Sequence, residues 1–259
     1  MPTILRPSRA LFRFSGADAQ KLLFDVVTGR LVAEVGPPLW WALLSPQGKI
    51  QAEGRSVWRD GAFWLDVDRS VADSFLKRMK MYRLRAAVTI DDLRESHAVG
   101  SDPSAEKTHV IGTTGEAASW DAADQSYDAA RIAQGIAELG SDFAADQMFP
   151  HDIGMDLLGG VDFKKGCYIG QEVVSRMEHR GTARRRPVIL EGTDAPMGTP
   201  VLAGGRDSGM TGTPVGGKAV AIVRLDRFDG GEVTVAGKPV TVTLPAWATY
   251  RLGESVADA

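Results

Sequence analysis

Twice early in the chain an apolar run is followed by a serine with an aspartate three residues on. The first case is Ser15-Gly16-Ala17-Asp18; the second is Ser70-Val71-Ala72-Asp73, after Phe63 to Val67. Each reads as a strand ending where a helix begins, because the serine hydroxyl can accept a bond from an orphan amide three residues on and the aspartate puts negative charge in the first turn. The first helix presents Leu22, Leu23, Val26 and Val27 to a core and stops at Gly29; the second presents Phe75, Leu76 and Met79. Leu84, Ala86, Val88 and Ile90 then alternate as a strand. Between the helices, Trp40 to Leu44, a Ser45-Pro46-Gln47-Gly48 turn and Ile50 to Trp58 read as a hairpin. This order is α+β, with helices packed on largely antiparallel sheet.

Further along, Asp91 to Trp120 shows no clear period, and Asp128 to Gln134 reads as a short helix ending at Gly135. The texture changes near Arg186. From there Val188 to Leu190, Lys218 to Leu225, Glu232 to Val235 and Val240 to Leu244 are short apolar runs between glycine-rich turns, which suits a small β-barrel or sandwich. Gly212 to Lys218 has the spacing of a phosphate-binding loop, but Ala219 stands where a hydroxyl should hold magnesium and a β run follows instead of a helix. A turn is the better reading.

With 30 Lys+Arg against 33 Asp+Glu the chain is nearly neutral, yet the charge is uneven. Asp91 to Asp162 holds 15 acids against three bases, whereas Lys164 to Arg186 holds seven bases against two acids, the segment best placed to meet an anion. Only Cys167 carries a thiol, so an intramolecular disulfide, an all-cysteine zinc site and an iron–sulfur cluster held by this chain's thiolates alone are excluded. The four histidines, His97, His109, His151 and His179, lack metal-ligand spacing, and no metal site is expected. No apolar run approaches the roughly 20 residues of a membrane span. Arg6, Arg9 and Arg13 precede the first acid in the manner of a transit peptide, but the apolar residues among them read as strand. No organelle signal is therefore expected, and the single thiol points to a reducing, cytoplasmic setting.

The stretch Phe163-Lys164-Lys165-Gly166-Cys167-Tyr168-Ile169-Gly170-Gln171-Glu172 is the most informative. Its continuation reads as a helix with Ile169, Val173 and Met177 four apart, a Glu172–Arg176 pair, basic His179 and Arg180 in the last turn, and Gly181 as the stop. Cys167 thus precedes a helix N-terminus, beside Lys164 and Lys165, where a thiolate or another anion is favoured. Gly166 and Gly170 allow a bent backbone or a close approach. The competing reading is a packed turn with an inert cysteine.

KGCYIGQE at Lys165 to Glu172, with Val173 to Arg176 and His179-Arg180-Gly181, resembles the signature of the YgfZ-type folate-binding proteins, relatives of the glycine-cleavage aminomethyltransferase. Ser15 to Asp18, Leu43 to Ile50 and Arg131 to Ile136 resemble further parts of the family pattern. The resemblance implies a folate-binding α+β portion over 1–186, in two lobes of approximately 1–90 and 91–186, and a C-terminal β-barrel over 187–259, around a central channel that admits tetrahydrofolate or a derivative. It implies a role in assembly or repair of iron–sulfur clusters, with assembly proteins or client enzymes as partners, among them radical-SAM tRNA-modifying proteins. Lys165, Gly166, Tyr168, Gly170, Gln171, Glu172 and Arg176 are the implied folate contacts, and Cys167 the functional thiol. Ala52-Glu53 and Ala133 replace carboxylates that the transferases use, which weighs against aminomethyl or methyl transfer, the alternative function, without weighing against folate. No membrane partner is expected. The arginines at 180, 184, 185 and 186 suit a folate glutamate tail or an acidic protein, with RNA less favoured.

Overall fold

A computed structural model describes residues 3–102, 109–181 and 183–253. The chain forms two compact units, each of two segments: Met1–Tyr127 with Gly159–Gln171, and Asp128–Leu158 with Glu172–Ala259.

In the first unit the elements are β1 (Ile4–Leu5), β2 (Arg9–Ser15), α1 (Ala19–Val26), β3 (Leu39–Leu44), β4 (Ile50–Arg59), β5 (Ala62–Asp68), α2 (Ala72–Arg83), β6 (Thr89–Asp92), β7 (His97–Ser101), β8 (Val110–Thr113) and α3 (Thr114–Ala117). An antiparallel five-stranded sheet runs β3-β4-β5-β2-β6, and a three-stranded one runs β1-β7-β8. Alternation along β2 sends its residues to opposite faces of the sheet. Phe12 and Phe14 meet Phe75 of α2, with ring centroids at 5.4 and 6.2 Å, and Trp41 joins them at 5.4 Å. Leu11 faces the other way, packing with Ala62, Trp64 and Val99 of β7. The hairpin of β3 and β4 forms as expected, with a bulge between Leu43 and Leu44 beside the Ser45–Gly48 turn.

Three local expectations are corrected. The helix starts lie where the pattern puts them, but neither serine hydroxyl caps its helix. Ser15 ends β2, Asp18 Oδ2 accepts from Ala87 N at 2.7 Å, and Asp68 Oδ1 accepts from Ser70 N at 2.9 Å in a short 3-10 turn (Arg69–Val71) ahead of α2. The Asp68 carboxylate caps the 3-10 turn with a charge-assisted bond before α2 begins, whereas the Asp18 carboxylate is spent on a distant amide and α1 starts without a side-chain cap. The alternation from Leu84 to Ile90 makes a strand only from Thr89, because Leu84 closes α2 with φ +34 and its side chain exposed.

The second unit starts with α4 (Ser126–Ala133), which crosses the division between the units, and ends at Gly135 with φ +67. There follow a buried 3-10 turn (Pro150–Ile153), α5 (Gln171–Arg180), β9 (Arg185–Glu191), β10 (Pro200–Ala203), β11 (Arg206–Thr211), β12 (Lys218–Arg224), β13 (Val233–Val235), β14 (Lys238–Pro239) and β15 (Thr241–Thr243). The strands form one sheet in the order β14-β13-β10-β11-β12-β9-β15. Its two edge strands are separated in sequence by Val240 alone, which curls the sheet into a nearly closed barrel around Val188, Leu190, Val201, Ala221 and Val223. The loop at Gly212 to Lys218 is a turn, with Gly216 and Gly217 both at positive φ and Val215 bridged to Lys218.

A buried ion pair ties α4 into this unit. Arg131 donates to Asp128 at 2.6 Å and to Asp142 at 2.5 Å; Asp142 also accepts from Glu138 N and Thr213 N. The chain beyond the last strand returns to the same place. Trp247 Nε1 donates to Gln134 O at 2.7 Å, and added Cβ atoms on Gly135 and Gly154 would meet Pro245 at 2.3 Å and Trp247 at 2.5 Å. No helix among the described residues is long and apolar enough to cross a membrane.

Because Phe75 fills the centre of the aromatic cluster and is almost fully buried, Phe75→Ala should lower stability by about 3–5 kcal/mol, read from urea unfolding by tryptophan fluorescence.

Candidate functional site

The signature loop owes its shape to Lys165. Helix α1 ends at Val26 and leaves carbonyls without helical partners; the Lys165 ammonium donates to Phe24 O at 2.8 Å, to Val27 O and to Gly29 O at 3.1 Å. These are three acceptors for three N–H donors. The side chain is buried, and burial pushes the group down to about 8 while Asp162 and Asp25 pull it up. The Tyr168 ring packs on the same ammonium at 5.0 Å. Its hydroxyl is buried without a hydrogen-bond partner, and burial holds it well above the usual phenol range.

The two glycines complete the clamp. Gly170, at φ +78, lies against the hairpin turn so closely that a Cβ would meet Ser45 O at 2.6 Å, and a Cβ on Gly166 would meet Phe24 at 3.2 Å. Asp162 Oδ1 accepts from Lys164 N at 2.8 Å and Lys165 N at 3.1 Å, fixing the turn that starts the loop. Within this frame Cys167 is exposed. Gln171 is half-buried at the start of α5, while Glu172 and Arg176 are exposed and pair with each other at 2.7 Å. The helix buries Val174 instead of the expected row of Ile169, Val173 and Met177, which is half-buried throughout; the offset shifts the contact face by one residue.

Next to the loop, Arg30, Leu39, Trp40, Gly159, Val161, Asp162, Phe163 and Lys164 line a cleft of about 390 Å³. Phe163 supplies apolar surface over a floor that includes the edge of the almost fully buried Trp40, whose ring also carries the Arg55 guanidinium at 4.7 Å; Arg30 and Lys164 supply positive charge and Asp162 an acceptor. This donor set fits a planar heteroaromatic ligand that carries carboxylates, as a folate does. Apart from Lys164, none of these lining residues was a site candidate in the sequence. They lie in three separate segments and share no motif, so only the fold collects them.

Behind Trp40 lies a buried polar network. Trp40 Nε1 donates to Glu53 Oε2 at 2.7 Å; Arg9 Nε donates to Asp66 Oδ2 at 2.9 Å and its Nη2 to Glu53 O at 3.3 Å. Asp66 Oδ1 accepts from Arg55 N at 2.6 Å. Asp66 is held well below the usual carboxylate range: burial opposes this, but Arg9, His109 and Arg6 outweigh it. Glu53, the acid nearest the place of the transferases' acidic pair, is thus held by an indole and lies 3.9 Å from Arg9. Elsewhere, His151, Asp156 and Glu178 bring ligand atoms within 4.8 Å of one another, a grouping hidden in the sequence by the distance between them. Arg186 donates to Asp156 at 2.7 Å and to His151 O at 2.8 Å, so that group is built as an ion-pair cluster.

Residues 183–250 match the CAF17 C-terminal β-barrel domain. The chain is 30% identical over 217 residues to the mitochondrial iron–sulfur cluster assembly factor IBA57 homologue of Pyricularia oryzae, covering 71% of this chain and 56% of that protein. It is 28% identical over 277 residues to IBA57 of Mus musculus, covering 86% of this chain and 77% of the mouse protein. The chain spans little more than half the length of its fungal relatives. Among solved structures, aminomethyltransferase T of the glycine cleavage system from Bartonella henselae superposes with a TM-score of 0.74 at 13% identity, over 96% of this chain and 87% of that one. The α+β aminomethyltransferase-like fold is therefore established. The cytoplasmic expectation is corrected: these IBA57 relatives are named mitochondrial and point to that organelle. A lone thiol reports a reducing milieu and not an address, which is why composition pointed the wrong way.

His109 gives this unit a pH signature. It is buried, its nitrogens make no hydrogen bond, and Nδ1 lies 3.9 Å from Asp66 Oδ2. Burial, with Arg6, Arg9 and Arg55 nearby, pushes the imidazole from 6.5 to about 4 against the pull of Asp66. As pH falls the unfolded chain binds this proton first. The stabilisation is therefore fully present above 6.5 and is lost towards 4, at no more than about 1.4 kcal/mol per pH unit. Urea unfolding across that range should show a steeper loss for wild type than for His109→Gln.

Proposed function

We propose that this chain acts in the assembly or repair of iron–sulfur clusters, with Cys167 as its working thiol and a tetrahydrofolate-type molecule bound in the cleft of Trp40 and Phe163. The similarity to IBA57 assembly factors over most of the chain carries the reading. What supports Cys167 is its setting: Lys165, Tyr168 and the two glycines are engaged in holding the loop, and the thiol is left outward. One thiolate supplies one ligand, so a cluster handled here takes its other ligands from a partner, an assembly protein or a client enzyme. Four-iron enzymes, including tRNA-modifying radical-SAM proteins, are the proposed clients.

For folate, Trp40 and Phe163 would flank the pterin, Asp162 would accept from its ring N–H groups, and Arg30 and Lys164 would meet the glutamate carboxylates. Bound folate would supply a one-carbon carrier or a redox-active pterin. The residues here bind and orient it, and the hold of Trp40 on Glu53 keeps that carboxylate away from proton transfer.

In cells that depend on this chain, Cys167→Ser should abolish most activity of a four-iron client while leaving the melting temperature of the purified protein unchanged. Full client activity would remove the thiol from the reading. Calorimetric titration with 5-formyltetrahydrofolate should give one-to-one binding, weakened about tenfold by Arg30→Ala, the loss of one charge-assisted hydrogen bond. Absence of saturation at millimolar ligand would remove folate and leave the assembly role standing.

A further inference from the structure

One end of the β9–β12 pair runs against electrostatics. Residues directly opposite in an antiparallel pair share a face, and like charges there destabilise it. At one end of this pair the arrangement is ordinary: Lys218 stands opposite Glu191 and bonds it at 2.6 Å. At the other end Arg224 stands opposite Arg185. Arg224 is neutralised by Asp226, through Nε at 3.1 Å and Nη2 at 2.7 Å. The Arg185 side chain is exposed and makes no hydrogen bond or ion pair among the described residues. A third guanidinium, that of Arg227, comes from the turn after β12; its Nε is buried without a hydrogen bond, and the nearest carboxylate oxygen, Asp226 Oδ2, is 4.0 Å away.

The three arginines line one cleft of about 400 Å³, together with Met148, Met210 and Ile222. Alternation along β12 explains the lining: Ala221 and Val223 belong to the barrel core, while Ile222 and Arg224 look the other way. Asp207, the one acid in the lining, accepts from Gly209 N at 3.1 Å. The volume suits a small molecule, and the charge set has guanidinium N–H groups left over.

We propose that this barrel cleft is an anion site for a small molecule bearing phosphoryl or clustered carboxylate groups, gripped by Arg185 and Arg227 with Arg224 between them. Guanidinium forks match both oxyanions, and the apolar wall of Met148, Met210 and Ile222 receives the rest of the molecule. The site is distinct in its residues from the Trp40 cleft and does not rest on the folate reading.

Inorganic pyrophosphate and citrate serve as probes, titrated against the full chain by calorimetry and thermal shift at constant ionic strength. Wild type should bind at least one of them and melt higher with it; pyrophosphate alone marks a phosphoryl ligand and citrate alone a carboxylate one. Arg185→Gln should weaken binding at least tenfold, yet melt no lower than wild type without ligand, because it relieves the repulsion with Arg224. Arg227→Gln should weaken binding similarly and stands in should Arg185→Gln fail to fold. Arg206→Gln, an exposed barrel arginine paired with Asp229, should bind as wild type. The proposal is overturned if neither anion exceeds the effect of sodium chloride, if Arg185→Gln and Arg227→Gln both respond as wild type does, or if only single-stranded RNA binds.

Discussion

The Lys165 ammonium, buried against the end of α1, is the contact on which the first unit's functional face depends. A charged group out of water is costly unless every donor has an acceptor, and here three backbone carbonyls, themselves left over from a helix end, provide them. The two deficits cancel. The result fixes residues 159–171 against α1 although well over a hundred residues of chain separate them. Tyr168 closes over the ammonium, Gly170 seats on the hairpin turn, and Cys167 has nowhere to point but outward.

This changes how the signature is read. A lysine, two glycines and a tyrosine beside a cysteine suggest an anion-binding loop in which each residue touches the ligand. In the fold their contacts are to the protein itself. The aromatic and cationic surface lies beside the loop, on Trp40, Phe163, Arg30 and Lys164. Polar networks behind it restrain the same wall, since Trp40 is held by Glu53 and Glu53 lies beside Arg9 and Asp66.

What could be seen in the sequence follows the range of the interactions involved. The β3–β4 hairpin, α1, α2 and most strands of the barrel were legible because periodicity and turn residues act within a few positions. Strands β10 and β11 were not, since Pro200 to Ala203 is only four residues long and opens on a proline, and Arg206 to Thr211 carries too few apolar residues to stand out from the turns around it. The serine caps failed because a 3-10 turn capped by Asp68 precedes α2 and the Asp18 carboxylate is taken by Ala87 N from a distant part of the chain, neither of which the local pattern reveals. Lys165's partners, the Trp40 cleft and the facing pair Arg185–Arg224 arise from contacts across the fold, which no local pattern encodes. The thiol was legible as important, and its exposure was not.

The interleaving of the two units also bears on how the chain is made. Neither unit is one stretch of sequence: residues 128–158 belong with the barrel that follows them, and residues 159–171 belong with the sheet that precedes them. As the chain emerges from a ribosome, the first sheet must wait for Lys165 before the end of α1 is satisfied. Residues 128–158 must wait longer, until Pro245 and Trp247 arrive to fill the places left by Gly135 and Gly154. Throughout that interval the acidic middle of the chain carries apolar surface without its cover. Synthesis of this protein therefore has a vulnerable window set by topology, during which holding chaperones would find their substrate.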